Sequence, residues 1–243
     1  MKSQPTKNLR IKIISQAIHV LELFFYYPKF RKVVKKTVID DLNPNSVILD
    51  IGGNRGQSIE FFSKLFPQKK IISCEPIPAL FDKLKRFENE NIKILNYALD
   101  SESGEGIFYQ SILEETSTLV LPRESSDWGI KKGKILGAAP KDMYFPITVK
   151  KITVDKIISQ LDLLSVFLLK IDVEGAELLV LRGALDSLRR RKILYVQLEN
   201  HDDDLRDDKS IEITSLLSSY GFIRIERVKH SFGNYYEEIF KLV

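Results

Sequence analysis

Cysteine is almost absent from this sequence, and no long hydrophobic run occurs in it. Cys74 is the single cysteine among 243 residues, which excludes an internal disulfide framework and agrees with a reducing cytoplasm. No uncharged apolar run reaches the roughly eighteen residues that a membrane-spanning helix needs, and no signal-peptide pattern is present. We therefore expect a cytoplasmic protein. Its 44% hydrophobic content is enough for one large domain with a full core.

The glycine-rich segment at residues 52–56 lacks the Gly-x-Gly-x-x-Gly spacing of dinucleotide sites. Counted from Gly52, that spacing would put its second and third glycines where Asn54 and Gln57 stand. Asp50 precedes the segment, and an acid there would repel a pyrophosphate but could contact a cationic group. The segment therefore predicts a cofactor without phosphates.

Small residues and a second acid indicate which cofactor this is. Gly52, Gly53 and Gly56 allow the backbone to approach a ligand closely, and Asn54 tolerates left-handed backbone angles. Glu75 ends the next predicted strand nineteen residues after Gly56, where a carboxylate can accept hydrogen bonds from ribose hydroxyls. This order predicts a site for S-adenosylmethionine. The alternative is an ordinary strand–turn–helix junction in which Glu75 is a solvated strand end.

Strand and helix patterns alternate from residue 46 onward. This alternation predicts an α/β fold, a doubly wound Rossmann-like methyltransferase sheet that is mostly parallel and closes with a C-terminal antiparallel hairpin. The predicted strands are 46–51, 70–75, 92–97, 166–171 and 193–199, the helices lie near 57–66, 78–90, 152–161 and 176–190, and the hairpin joins 222–228 to 235–243. Residues 110–147 interrupt the alternation with scattered Pro and Gly, and we expect an elaborated substrate loop over the site.

Residues 1–40 differ from the rest of the chain in charge. They contain nine Lys or Arg and two acidic residues, so that the remaining residues, 41–243, carry a net −3. An apolar helical pattern between the basic flanks predicts a basic amphipathic helical segment. It could make peripheral contact with the inner membrane surface through residues 9–36. The favoured alternative is a helix that covers the methyltransferase domain, 41–243, or packs on a second subunit of a homo-oligomer.

A second motif, Lys170-Ile171-Asp172-Val173-Glu174-Gly175-Ala176-Glu177, ends another predicted strand in carboxylates. Together with the loop at 50–56 and Glu75-Pro76, it resembles the FkbM family of methyltransferases. The family hallmarks are Asp-Ile-Gly-Ala-Asn-x-Gly, a Glu-Pro pair, and Lys-Ile-Asp-Val-Glu-Gly-Ala-Glu; here Gly53 replaces the alanine. The resemblance covers about residues 45–201 and leaves out the N-terminal segment and the loop at 110–147.

The resemblance implies transfer of a methyl group from S-adenosylmethionine to a hydroxyl, often on a sugar or a secondary metabolite. It further implies contacts with the methionine end from the glycine loop, with the ribose from Glu75, and with the adenine from Asn96 and Ala98. Ser117 is a further candidate for contact with cofactor or substrate. The full set of expected cofactor-binding residues is Asp50, Gly52, Gly53, Asn54, Gly56, Glu75, Pro76, Asn96, Ala98 and Ser117.

Methyl transfer to a hydroxyl needs assistance, because a neutral hydroxyl is a poor nucleophile. A base, a metal ion or close alignment with the sulfonium methyl can supply it. The candidate catalytic residues are Asp172, Glu174 and His201 as bases, and Lys170 as the group that holds a carboxylate in place. His201 fits a solvated loop equally well, and we expect Glu177 to stabilise the start of its helix.

Metal-assisted catalysis is the alternative to a protein base. Asp172 after the fourth parallel strand, with Glu199 and Asn200 after the fifth, is similar to the ligand order of metal-dependent catechol-type methyltransferases. Oxygen ligands of this kind suit Mg²⁺ or Ca²⁺. A divalent cation is therefore a second candidate cofactor, and both routes remain open.

Two other functions compete with methylation of a small-molecule or glycan hydroxyl. The basic first forty residues suggest a nucleic-acid methyltransferase such as an RNA methyltransferase. The net negative remainder and the lack of a recognised RNA-binding module argue against it. The other competitor is a non-catalytic, cofactor-binding interaction protein, and the intact acidic motif argues against that.

Overall fold

The computed structural model describes residues 27–38, 43, 45–113, 116–121, 130, 133–134, 136–139, 142–201, 210–229 and 235–243. Its strands are β1 (Ser46–Ile51), β2 (Lys70–Cys74), β3 (Ile92–Leu95), β4 (Ala98–Leu99), β5 (Gly104–Ser111), β6 (Tyr144–Ile152), β7 (Ser165–Ile171), β8 (Ile193–His201), β9 (Phe222–Lys229) and β10 (Tyr235–Leu242). Its helices are α1 (Tyr27–Thr37), α2 (Gln57–Leu65), α3 (Pro78–Leu84), α4 (Val154–Gln160), α5 (Glu177–Arg182), α6 (Leu185–Arg189) and α7 (Ser210–Ser219), with a 3₁₀ turn at Lys85–Phe87.

The larger sheet of this part of the chain has seven strands in the order β3-β2-β1-β7-β8-β10-β9. The first five are parallel, and β10 runs antiparallel to both β8 and β9. This confirms the predicted fold class, including the C-terminal hairpin. The order reverses between β1 and β7, and the carboxyl ends of strands at such a switch point are where open α/β sheets bind ligands.

Both faces of the central strands are buried, which explains their nearly continuous apolar sequences. Every residue of β1 is buried, and so is every residue of β7 after the first. One face packs against α4, α5, α6 and α7. The opposite face packs against α1 and α2 through side chains such as Val34 and Phe62.

Helix α1 covers the sheet rather than standing apart from it. Val34 is fully buried in the core beside Ile48, while Lys32, Lys35 and Lys36 are exposed. This helix is the basic end of the predicted segment, so the choice between a cover helix and membrane contact stays open for the apolar part. The rest of the predicted amphipathic segment lies outside the described residues, and membrane contact stays a prediction. None of the helices that the structure describes has the length and apolar character to span a membrane.

A second sheet, with order β4-β6-β5, takes up the two ends of the loop predicted over residues 110–147. Strand β5 continues to Ser111 and β6 begins at Tyr144, and the two pair in an antiparallel arrangement. Pro146 suggested a loop, but a proline is tolerated where a strand edge is unpaired. Here β4 pairs only with residues 151 and 152 of β6, so the other edge of Pro146 faces no strand of this sheet.

The helix predicted over 176–190 is two short helices, α5 and α6. The helix is interrupted at Gly183, where a Cβ would lie 2.3 Å from the carbonyl oxygen of Asp100. This close approach to the loop after β4 requires glycine, because any side chain would push the loop away.

Candidate functional site

A solvent-open cleft lies at the carboxyl ends of β1, β2 and β7, and residues of β4 and β5 from the second sheet also line it. Eight of the residues predicted from the sequence line it, namely Gly52, Asn54, Glu75, Pro76, Ala98, Ser117, Asp172 and Glu174.

The loop after β1 is held tightly between its two neighbouring strands. The amides of Gly52 and Gly53 both donate to the carbonyl oxygen of Cys74, at 3.1 and 3.0 Å. Gly52 has φ +87°, and a Cβ at this position would lie 1.9 Å from the carbonyl oxygen of Asp172. Only glycine fits, because the left-handed backbone and the neighbouring strand end both exclude a side chain.

Asn54 connects this loop to the second strand. Its φ is +45°, and its backbone amide donates to Glu75 Oε2 at 2.9 Å. Its side-chain Oδ1 is buried and has no hydrogen-bond partner among the described residues. A buried carbonyl oxygen without a partner is costly, and in the cleft wall it is a ready acceptor for a ligand N–H.

Glu75 is fixed from both sides and is only 4% exposed. Its Oε2 accepts from Asn54, and its Oε1 accepts from the amide of Ile77 at 2.9 Å. A carboxylate oxygen has two lone pairs, so each oxygen can accept one more hydrogen bond from a ligand. Burial raises the pKa of Glu75 to about 7, although the two amides and Lys170 oppose the rise.

Three predicted cofactor residues support the cleft without lining it. Asn96 Nδ2 donates to the carbonyl oxygens of Glu75 and Pro76, at 2.8 and 3.1 Å, and so fixes the turn after β2. Gly53 and Gly56 let the loop pack closely, since their Cβ atoms would lie 2.3 Å from Ser73 Oγ and from the Phe87 ring respectively. Their roles are in the architecture of the loop.

Asp50 lies beneath the loop, which differs from the expected contact with the cofactor. The residue is fully buried and is not part of the cleft wall. Its Oδ2 accepts from Ser58 Oγ and Ser73 Oγ at 2.8 and 2.6 Å. Its Oδ1 lies 3.2 Å from Lys170 Nζ. The acid therefore anchors the loop from below.

Lys170 joins the loop to the carboxylates after β7. Its Nζ donates to the carbonyl oxygen of Gly52 at 3.0 Å and lies 3.3 Å from Asp172 Oδ2. Burial lowers the pKa of Lys170, but Asp50 and Asp172 outweigh burial and hold the pKa above its ordinary value. Lys170 is therefore a permanent cation that holds Asp172, as predicted, and it cannot act as a base.

Three carboxylates form what we call the acidic end of the cleft: Asp172, Glu174 and Glu199. One oxygen from each lies within 4.8 Å of the other two. Burial raises the pKa of Asp172 to about 6; Lys170 opposes this rise, whereas Glu174 and Glu237 add to it. The Asp172 side chain is nevertheless 38% exposed to the cleft. It is therefore an accessible carboxylate whose pKa lies close to neutrality.

The predicted metal ligands do not all meet here. Asn200 alternates with Glu199 along β8, so the two side chains point to opposite faces of the sheet. The Asn200 amide donates instead to Ser210 Oγ at 2.6 Å and to Glu238 Oε2 at 3.2 Å. Glu174 takes its place near Asp172 and Glu199. The side chain of His201 lies outside the described part of the structure, so its assignment as a base stays a prediction.

Glu177 has the structural role expected of it. Its Oε1 accepts from the amide of Gly175 at 2.8 Å, and the residue is 6% exposed. The bond ties the first residue of α5 to the turn that carries Glu174, whose φ is +58°. The carboxylate thereby stabilises the helix start and the strained turn together.

Sequence reasoning missed the apolar part of the cleft. Tyr97, Phe108 and Leu119 line it, together with Ile77 and Val173. Phe108 comes from β5, and recognising it required the second sheet. The only available signal was the alternation of exposed and buried residues in β5, which its two glycines obscure.

Comparisons with known proteins agree on one family. Residues 50–224 match the family model described as the methyltransferase FkbM domain. Methyltransferase sdnD of Sordaria araneosa is 30% identical over 202 residues, which cover 72% of this chain and 77% of that protein. The 2-O-methyltransferase NoeI of Sinorhizobium fredii is 25% identical over 174 residues, 65% of each chain.

A solved structure shares the fold. The methyltransferase FkbM of Methylobacillus flagellatus superposes with a TM-score of 0.55 at 13% sequence identity. The match covers 85% of this chain and 46% of that one. At this level of identity the likeness concerns the fold alone.

Proposed function

The chain belongs to the FkbM family of S-adenosylmethionine-dependent methyltransferases, and we propose that it methylates a hydroxyl of a sugar or of another small hydroxylated acceptor. One observation carries the proposal. Asp172 and Glu174 line the same cleft as Glu75 and Asn54, so a base stands beside the site that suits the cofactor. The 2-O-methyltransferase among the relatives is consistent with an oxygen acceptor.

The lining of the cleft suggests how the cofactor lies in it. Glu75, with one free lone pair on each oxygen, suits the two ribose hydroxyls. Tyr97, Phe108 and Leu119 offer an apolar surface for the adenine on one side. An ammonium group would satisfy the unpaired Asn54 Oδ1 on the loop after β1.

The reaction in this arrangement needs one proton acceptor. When bound, S-adenosylmethionine would supply the methyl group to the acceptor oxygen, and its sulfur would keep the electron pair of the broken carbon–sulfur bond as a neutral thioether. The hydroxyl proton passes to Asp172, which Lys170 holds in position. A pKa near neutrality suits a general base, since such a base is ionised at working pH and still basic enough to take the proton.

A divalent cation is the alternative way to activate the hydroxyl. Its ligands would be the carboxylates of the acidic end, with Glu174 in place of the predicted Asn200. The Lys170 ammonium lies 3.3 Å from Asp172 and competes with a metal for that carboxylate. We therefore propose the metal-free route.

The same charges bear on the acceptor. A polyanion such as RNA would be repelled by the carboxylates of the acidic end. A neutral small-molecule or glycan hydroxyl is the acceptor class that we propose. Contact with a membrane, assembly into a homo-oligomer and a cytoplasmic location stay predictions from the sequence.

Calorimetric titration with S-adenosylmethionine tests the cofactor site. We expect the wild type to bind and Glu75→Ala to lose most of its affinity, while Glu60→Ala, on the exposed face of α2, binds like the wild type. A panel of methyl glycosides and phenolic alcohols, followed by mass spectrometry, then tests oxygen methylation. Absence of binding to the wild type contradicts the assignment, and methylation confined to nucleic acid contradicts the acceptor class.

A further inference from the structure

One face of the second sheet continues the wall of the cofactor cleft. In the β5–β6 register Phe108 lies opposite Ile147, and Gln110 lies opposite Phe145. Residues two apart on a strand share a face, so all four side chains stand on the same face of the sheet. Phe108 lines the cleft. The Gln110–Phe145 pair is therefore the next pair along the cleft wall, about 7 Å farther along the strands.

This face changes from buried to exposed between the two pairs. Phe108 is 6% exposed, whereas Phe145 is 53% exposed. Single exposed apolar side chains are common on protein surfaces and carry no message by themselves. Phe145 is informative because of its position, since its ring stands on the face that forms the cleft wall.

The other edge of β5 shows how far the cleft lining extends along this strand. Ser117 lines the cleft, and its Oγ accepts from the backbone amide of Ser111 at 3.0 Å. Ser111 directly follows Gln110 in β5. The lining of the cleft therefore reaches the level of Gln110, and the exposed pair adjoins the cleft.

The cleft-side face of these two strands is electrically neutral. The structure describes β5 and β6 in full, and Lys151 is the single charged side chain that the register places on this face. Its ammonium group forms an ion pair with Asp100. The face therefore suits an uncharged ligand.

Gln110 and Phe145 together offer two kinds of contact. The Cβ atoms of directly opposite residues lie about 5 Å apart, so one ligand can touch both side chains. An aromatic ring offers a flat apolar surface, and a carboxamide both donates and accepts hydrogen bonds. A pyranose ring matches this pair, because it has C–H groups on its face and hydroxyls around its edge.

Resting on the proposed function, we propose that Gln110 and Phe145 form an acceptor platform, on which a pyranose ring of the acceptor lies next to the bound cofactor. Phe145 contacts the C–H face of the ring, and Gln110 hydrogen-bonds to its hydroxyls. Both are specificity-determining residues that take no part in the chemical step.

Saturation-transfer NMR tests the acceptor platform by binding alone. The enzyme is first loaded with S-adenosylhomocysteine, the demethylated product of the cofactor, so that no turnover occurs. The probes are methyl β-D-glucopyranoside and its galacto and manno epimers. Sorbitol, which has hydroxyls but no ring, and phenol, which has a ring but a single hydroxyl, are the comparison ligands.

The variants are Phe145→Ala, Phe145→Trp and Gln110→Ala. Ile107→Ala is the matched control, because Ile107 is 51% exposed on the same strand pair but points to the opposite face. Calorimetry with S-adenosylhomocysteine and the thermal midpoint of each variant show whether the cofactor site and the fold are intact. Gln110→Ala provides the same test if Phe145→Ala fails to fold.

We expect the loaded wild type to bind at least one of the pyranosides and to bind sorbitol more weakly. Phe145→Ala should weaken pyranoside binding by about three- to tenfold. Phe145→Trp should retain it, because the larger ring offers the same flat surface. Ile107→Ala should bind like the wild type, and all variants should bind S-adenosylhomocysteine equally.

Three results would overturn the inference. The first is a loaded wild type that binds none of the pyranosides or binds phenol alone. The second is a Phe145→Ala variant with wild-type affinity for the pyranoside. The third is an equal loss of pyranoside and S-adenosylhomocysteine binding in that variant, which would assign Phe145 to the cofactor site. Failure of the wild type to bind S-adenosylhomocysteine would instead contradict the proposed function, so the two failures are distinguishable.

Discussion

Replacing Glu75 with glutamine should weaken binding of S-adenosylmethionine by about one to two orders of magnitude and should also remove a pH dependence. Both carboxylate oxygens accept backbone amides and retain one lone pair each. A hydrogen bond to a charged group contributes about 1.5–3 kcal/mol. Because glutamine can still accept one bond through its amide oxygen, the net loss corresponds to roughly ten- to a hundredfold in affinity.

The pH dependence follows from the burial of Glu75, which raises its pKa to about 7 in the ligand-free protein. In the proposed cofactor site, ribose hydroxyls donate to the ionised form of Glu75, so binding should lower this pKa. Affinity is therefore full above pH 7 and declines as the pH falls below it. Between pH 8 and pH 6 the affinity of the wild type should fall roughly tenfold, because the ionised fraction of Glu75 falls by about that factor.

Calorimetric titrations at pH 6, 7 and 8 measure both effects. Glu75→Gln should bind weakly with a flat profile over this range, and Glu60→Gln should follow the wild type. Asp172→Asn separates the contribution of Asp172, whose pKa is raised to about 6. A wild-type affinity that is constant from pH 6 to pH 8, or a Glu75→Gln variant with wild-type affinity, would refute the reasoning.

Three further predictions concern the loop, the buried lysine and the metal. Gly52→Ala should destabilise the fold by more than about 3 kcal/mol, because its Cβ would meet the Asp172 carbonyl oxygen; a wild-type thermal midpoint would contradict this. Lys170→Met should lower the free energy of unfolding, measured by urea denaturation, by about 3–5 kcal/mol, because Asp50 loses its counter-charge. Adding Asp50→Asn should recover part of this loss. A double variant that is no more stable than Lys170→Met argues against this pairing. Methyl transfer should be insensitive to EDTA, whereas activity lost in EDTA and restored by Mg²⁺ would favour the metal route.

The parallel sheet could be predicted from the sequence because its strands are buried on both faces. Strands β1 and β7 are almost wholly apolar until they reach Asp50 and Lys170. The ends of these strands can therefore be recognised in the sequence by their charged side chains. The second sheet could not be predicted in this way. In β5 and β6 exposed polar residues and glycines outnumber buried ones, and Pro146 indicates a loop. These strands form because segments that are distant in the sequence pair with each other, and a local sequence pattern does not show such pairing.

The sequence predicts which strand ends form the candidate site, but it predicts less well which side chains line the cleft. Alternation along β8 means that Glu199 and Asn200 cannot both reach the acidic end. The sequence already shows that only one of these two residues can reach the acidic end. Which one does so depends on the register of β8 with its neighbours. Asp50 and Asn96 stand at the expected strand ends, yet Asp50 accepts from Ser73 on β2 and Asn96 donates to the turn after β2. Neither residue lines the cleft.

Register also explains why a lysine occupies a buried position in the middle of the sheet. Asp50, Lys170 and Gln197 are paired across β1, β7 and β8, which places a carboxylate, an ammonium and an amide in one row beneath the cleft. A lone buried charge in such a row would be strongly unfavourable, and removing one partner exposes that cost. The row therefore constrains the Gly52 loop and Asp172 jointly through one side chain. In the proposed function, cofactor binding and acceptor activation thus depend on the same buried ion pair, and substitutions of Lys170 should not affect one without the other.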